Sequence, residues 1–289
     1  EGAEAFSLSA TVTGGKNASD SSTILDDGTG KVYNEDGTDS GTPGNDDRAI
    51  TVAGLDDVSE GSNAVFTVSM PGGNTRATEI ALALSTGSAE AEDYSALAGA
   101  SAYYFDGATK VTLTITEGKI TLPTGVSSFF VSVPSTQDAT LEGAEAFSLS
   151  ASVTGGKNAS DSSTILDDGS GKVYDEQGLV TTVPGNDDRA LAVTSVTVNE
   201  GSPYAVFTVS GAAGQLTSLS LANGTTAGIS GLQVYNGSAW VAYTGGTVAL
   251  NGSGQLLVRT ALSPEQEATL DSGETFTLTA TNTGGGVAN

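Results

Sequence analysis

The chain has 289 residues and a net charge of −24, from 34 acidic and 10 basic side chains, with no cysteine and no histidine. Such a surface repels nucleic acid and anionic lipid, and it suits divalent cations or plain solubility. The lack of histidine removes the commonest general base and transition-metal ligand, the lack of cysteine removes any disulfide framework, and no run reaches the roughly 18 apolar residues of a membrane helix.

One stretch organises the rest. Residues 1–33 return at 142–174 with only Thr11/Ser152 and Thr29/Ser170 exchanged, hydroxyl for hydroxyl. A diverged third copy runs from Ala268 to Gly285 and follows Ala139 to Gly156. Glu1 stands in mid-repeat with no methionine before it, so the chain is expected to be a window on a tandem array.

In chain order, Ala5 to Val12 alternates apolar and hydroxyl residues with period two, which predicts a strand with one face on a core. Its copies are Phe147-Leu149-Ala151-Val153 and Phe276-Leu278-Ala280. Gly14-Gly15 ends the strand, and the hydroxyl-rich segment through Ile24-Leu25 is its hairpin partner, closing on Asp26-Asp27-Gly28. Gly28 to Asp47, and its copy Gly169 to Asp188, hold almost nothing apolar and both close on PGNDDR. They read as connectors that need ions or flanking domains to be rigid.

A new module starts near Arg48. Strands are predicted at Ala49–Val52, Ala64–Met70, Thr78–Ser85, Lys110–Thr116 and Ser127–Val133, and the repeated hairpin from Glu142 adds two more. About seven short strands favour a two-sheet antiparallel sandwich. The expected division is 1–47, the closing hairpin of a preceding sandwich plus a connector; 48–168, a complete sandwich; 169–190, a connector; and 191–289, a diverged sandwich lacking its final strand. The fold class is all-β, tandem antiparallel sandwiches, one complete and two partial.

SEGSNAVFTVS (Ser59–Ser69), EDYSAL (Glu92–Leu97), SSFFVSVPSTQDATLEGAEAFSLSA (Ser127–Ala151) and STILDDG (Ser163–Gly169) together resemble an Ig-like Calx-β domain. That family is the calcium-binding β-sandwich of sodium–calcium exchangers, also found in tandem in large bacterial adhesins. The residues point the same way. In an antiparallel order, Asp138, Glu142 and Glu145 before the penultimate strand meet Asp167 and Asp168 at the far end of the last strand. Hard carboxylate oxygens gathered at one end suit Ca2+. The resemblance implies that Glu60 and Asp93 join them. The competing reading is solvated turn acids that serve solubility and capping.

The C-terminal module keeps Glu200, Glu267, Asp271 and Glu274 but has no acid matching Asp93, and Glu1, Glu4, Asp26 and Asp27 form half a site. Asp46-Asp47 and Asp187-Asp188 are candidates to share an ion with Asp26-Asp27 and Asp167-Asp168, against the alternative of a flexible polar linker. Asn34-Glu35-Asp36-Gly37 lacks the closing Glu of an EF-hand and counts as a turn.

The functional expectation is a non-enzymatic, calcium-stabilised spacer repeat of a large extracellular or cell-surface bacterial adhesin or biofilm matrix protein, with neighbouring repeats as its partners. One alternative is a self-assembling filament subunit, a homopolymer joined by head-to-tail strand donation. Another is a carbohydrate-binding module around Trp240, with Tyr235 and Tyr243, taking a cell-surface glycan.

Overall fold

Alternation of apolar and hydroxyl residues makes Glu4–Thr11 (β1) and Asn17–Ile24 (β2) an antiparallel hairpin, in register from Glu4↔Ile24 to Thr11↔Asn17. A computed structural model describes this hairpin within residues 3–138, 140–199, 201–224, 229–262 and 273–289. The chain is all-β and sandwich-like.

Among the described residues, the middle module holds ten strands. They are β3 (Thr51–Gly54), β4 (Val58–Ser59), β5 (Asn63–Ser69), β6 (Thr78–Thr86), β7 (Ser101–Asp106), β8 (Thr109–Leu113), β9 (Lys119–Leu122), β10 (Ser128–Pro134), β11 (Glu145–Val153) and β12 (Asn158–Leu166). One sheet has the order β3-β5-β10-β7-β8 and the other β4-β12-β11-β6-β9. Every pairing within them is antiparallel except β4 with β12, where Val58 and Ser59 run parallel to Ile165 and Leu166. Phe66, Val68, Ile80, Phe129, Val131, Phe147 and Leu149 meet between the sheets. Each such side chain contributes about 1.5–3 kcal/mol on burial.

The C-terminal module repeats the plan. Ala192–Val193 (β13), Tyr204–Ser210 (β14), Leu216–Asn223 (β15), Ile229–Tyr235 (β16), Trp240–Tyr243 (β17), Val248–Ala249 (β18), Gln255–Leu262 (β19), Phe276–Asn282 (β20) and Val287–Ala288 (β21) form two further sheets. Their orders are β13-β14-β19-β16-β17 and β18-β15-β20-β21. Phe207, Leu219, Val258 and Leu278 lie in its core.

Connector 169–188 is tied to the middle module by hydrogen bonds, with Tyr174 packed against the edge of its core. In 169–188, Lys172 exchanges backbone bonds with Asp57 and Ser59, the Tyr174 hydroxyl donates to the Asp56 carbonyl, and the Tyr103 hydroxyl donates to the Glu176 carbonyl. Asn34–Gly37 is a turn closed by Gly37 N–H on the Asn34 carbonyl. Each PGNDDR segment then seats on the double-glycine turn of the next module. The Asp46 N–H donates to the Gly155 carbonyl, and the Gly284 N–H donates to the Asp187 carbonyl. A Cβ at Gly156 would collide with the Asp46 carbonyl oxygen, so the turn there has to be glycine.

Candidate metal centre

The site is built at one end of the middle sandwich, where five segments converge. β11 and β12 pair with Glu145 opposite Ile165, so the acids flanking the hairpin arrive together. The Glu142 N–H donates to Asp167 Oδ2 at 2.6 Å, fixing the turn before β11 against the residue after β12. Tyr94 is buried and stacks on Phe147, with ring centroids 4.2 Å apart and planes 10° apart. That stack, with the Thr136 N–H on the Asp93 carbonyl, sets Asp93 beside the start of β11. Glu60 follows β4, and its N–H donates to the Leu166 carbonyl.

The result is a recess lined by Glu60, Asp93, Glu142, Gly143, Glu145, Ile165 and Asp167. One carboxylate oxygen each from Asp93, Glu142 and Glu145 lies within 4.8 Å of the others. Asp138 is near enough to add its charge to the surroundings of Glu60, and its Oδ1 accepts from the Thr140 N–H at 2.6 Å.

The electrostatics follow from crowding like charges in a half-buried space. Burial, with Asp188, Asp138 and Asp167 nearby, pushes the Glu60 carboxyl up to about 7. Burial, a hydrogen bond with Asp93 and the charges of Asp93, Glu142 and Glu90 push Glu145 up to about 7. Glu142 and Asp167 are raised as well, both chiefly by burial. Carboxyls this reluctant to ionise side by side are the donor set a hard cation relieves.

Of the seven acids singled out from sequence, Asp93, Glu142 and Glu145 converge, Glu60 and Asp167 line the same recess, and Asp138 borders it through Glu60. Asp168 turns away. Its Oδ1 accepts from the Ser170 N–H at 3.0 Å and from the Ser170 hydroxyl, and these bonds hold its carboxyl below the ordinary range. Glu1, Glu200, Glu267 and Asp271 lie outside the described residues.

Two side chains not singled out as ligands also reach this end. Asn186 is buried, and its amide nitrogen donates to Glu60 and, at 3.3 Å, to Asp188 Oδ2. Glu90 adds its charge beside Glu142 and Glu145. The signal for Asn186 was the repeated PGNDDR, in which Asn45 and Asn186 stand at one place.

At the joints between modules guanidinium groups do the neutralising. Asp46 is fully buried and pairs with Arg48 at 2.6 Å and Arg76 at 3.3 Å. Burial works against its charge, yet these partners hold the carboxyl low. Asp187 pairs with Arg189 at 2.6 Å in the same way.

No protein-family model matches the chain, and no curated protein sequence does. Among solved structures, it is similar to CBD12 from CALX1.2, at 12 % identity and a TM-score of 0.31 over 80 % of this chain and 79 % of that one. The calcium-binding domain CBD12 of CALX1.1 gives 12 % identity and 0.34, over 75 % and 76 %. A tetra-tandem repeat from the extending region of a large adhesion protein gives 14 % and 0.24, over 99 % of this chain and 54 % of that one. Superpositions this loose assign no role to any side chain. Among the described residues, no helix is long and apolar enough to cross a membrane.

Proposed function

We propose that the chain is a calcium-stiffened structural spacer of a large secreted or cell-surface adhesin or matrix protein, with a mechanical rather than catalytic role. The observation that carries this reading is the convergence of Asp93, Glu142 and Glu145 from two separate loops, with Glu60 and Asp167 on the same recess. Bound Ca2+ would supply positive charge that lets these carboxylates ionise together. Asp93, Glu142 and Glu145 would hold it, and Glu60, Asp138 and Asp167 would complete the acidic wall. Asp168 is the weakest member of the set, since its oxygen is already engaged by Ser170.

In this reading 48–168 is one spacer, 1–47 and 191–289 belong to its neighbours, and 169–190 is the joint. The joint is where binding becomes mechanical. Glu60 touches Asn186, Asp188 flanks it, and the Gln137 side chain donates to the Gly284 carbonyl at 3.0 Å across the boundary. Neutralising the cluster therefore stabilises the contact between modules as well as the module itself. Small-angle scattering of the chelator-treated chain, with and without CaCl2, tests this. Calcium is expected to narrow the distribution of molecular dimensions toward an extended form, and identical scattering in both conditions would contradict the reading.

A further inference from the structure

Strand register equates Tyr103 on β7 with Tyr235 on β16, and the two differ sharply in exposure. Val131 of β10 and Val258 of β19 hold matching places, opposite Phe66 of β5 and Phe207 of β14. Tyr103 and Tyr235 each stand on the adjoining strand, one step beyond the residue facing that valine. Tyr103 is 1 % exposed and Tyr235 36 %.

The connector makes the difference. In the middle module the turn Asp175–Gly178 lies on the outer face of the sheet. The Tyr103 hydroxyl donates to the Glu176 carbonyl at 2.9 Å, and Lys110, seated over the Tyr103 ring, pairs with the Glu176 carboxylate at 2.6 Å. An aromatic face with one cation is thus covered by an acidic turn.

Among the described residues, no turn covers the same chemistry on the C-terminal module. Arg259 lies 3.9 Å from the Tyr204 ring centre and 4.4 Å from that of Trp240, and its Nε donates to Gln233 at 2.7 Å. Trp240 in turn packs against Tyr235, with centroids 5.5 Å apart. Tyr204, Val206, Tyr235 and Leu257 on this face are all exposed. None of the chain's 34 acids falls between residues 201 and 262. Arg48, Arg76 and Arg189 are each paired with an Asp, whereas among the described residues Arg259 pairs with no carboxylate. In a chain of net charge −24, a guanidinium without a carboxylate partner among the described residues favours an acidic visitor.

The complementary turn exists in the same chain. Asn34–Gly37 is built like Asp175–Gly178. Gly37 N–H bonds the Asn34 carbonyl as Gly178 N–H bonds that of Asp175, and the bridge Tyr33↔Asp39 matches Tyr174↔Val180. It carries Glu35 where the other carries Glu176, and it is exposed.

We propose that the outer face formed by Tyr204, Tyr235, Trp240 and Arg259 is a docking site for an acidic connector turn, and that in solution it takes the Asn34–Gly37 turn of a second copy of this chain. Glu35 or Asp36 pairs with Arg259, and the turn backbone accepts the Tyr235 hydroxyl as Glu176 accepts that of Tyr103. The contact is small, so association is weak and sensitive to salt.

Trp240 is the only tryptophan, which makes its fluorescence a direct readout. The full chain is titrated with a synthetic peptide of residues 31–41, and its sedimentation is followed against its own concentration. The expected result is a saturable change in Trp240 emission and reversible self-association. Both should be lost in Arg259→Gln, retained in Arg259→Lys, and absent with a peptide carrying Glu35→Lys and Asp36→Lys. Thermal melting followed by circular dichroism shows whether the variants are folded. Should Arg259→Gln fail to fold, the charge-reversed peptide against the native chain decides. An unchanged emission with a monomer at every concentration would overturn the proposal, and so would equal responses to the native and charge-reversed peptides.

Discussion

Phe6 and Phe147 stand at the same position of one repeated hairpin, yet Phe6 is 55 % exposed while Phe147 is 1 % exposed. Phe147 meets Phe66 edge-on at 5.7 Å and stacks on Tyr94. β11 is flanked by β6 and β12, whereas β1 pairs with β2 in a two-stranded sheet of its own. The burial of this repeat is therefore a property of its surroundings, and so is its energetic worth.

That contrast can be measured within one molecule. Leu149 is fully buried and Leu8 is 76 % exposed. Leu149→Ala should lower the stability of the middle module by about 2–5 kcal/mol, by lost transfer energy and the cavity left behind. Leu8→Ala should change it by less than about 0.5 kcal/mol. Urea unfolding of both variants makes the comparison, and equal costs would contradict the account of the hairpin.

The guanidinium clamps at the joints give a second expectation. Arg48→Met leaves the fully buried Asp46 carboxylate with Arg76 alone and should cost about 3 kcal/mol. The double variant Asp46→Asn, Arg48→Met should recover part of that loss, because no unpaired charge remains buried. Denaturant midpoints of the single and double variants test it.

The pH dependence follows from the raised acids. Glu60 and Glu145 have an ordinary value of 4.5 and titrate near 7 in the fold. The fold favours their neutral forms, so without a cation the stability they contribute is intact below about 4.5 and is lost as pH rises toward about 7. Asp46 and Asp168 are held low, so the stability they contribute is full above their ordinary 3.8 and is lost only as pH falls below it. The chelator-treated chain should therefore melt at a higher temperature at pH 5 than at pH 8, and Glu145→Gln should flatten that slope. A slope unchanged in Glu145→Gln would place the titrating groups elsewhere.

Much of this architecture is legible in the residues. Period-two alternation locates β1, β11 and β20, and antiparallel order alone brings Glu142 to Asp167. What escapes is whatever depends on how a connector folds. The parallel pairing of β4 with β12, which brings Glu60 to the end of the last strand, has no local signature. Asp168 stands beside Asp167 in the sequence, but the Ser170 two residues on captures it, a local bond that competes with any cluster. Asn186 reaches Glu60 from 126 residues away, and only the folded connector joins them. Arg76 gave no sign of entering the joint, since its contact with Asp46 needs the connector and the β6 loop in place together.

The proposed function places calcium among Asp93, Glu142 and Glu145. Isothermal calorimetry of CaCl2 into the chelator-treated chain, repeated on Glu142→Gln, Glu145→Gln, tests it most directly. The native chain should give saturable heat and a melting temperature several degrees higher, since calcium at a hundred times its Kd adds about 2.7 kcal/mol. The double variant should lose both. Neither heat nor a shift in the native chain, or an undiminished response in the double variant, would contradict the claim.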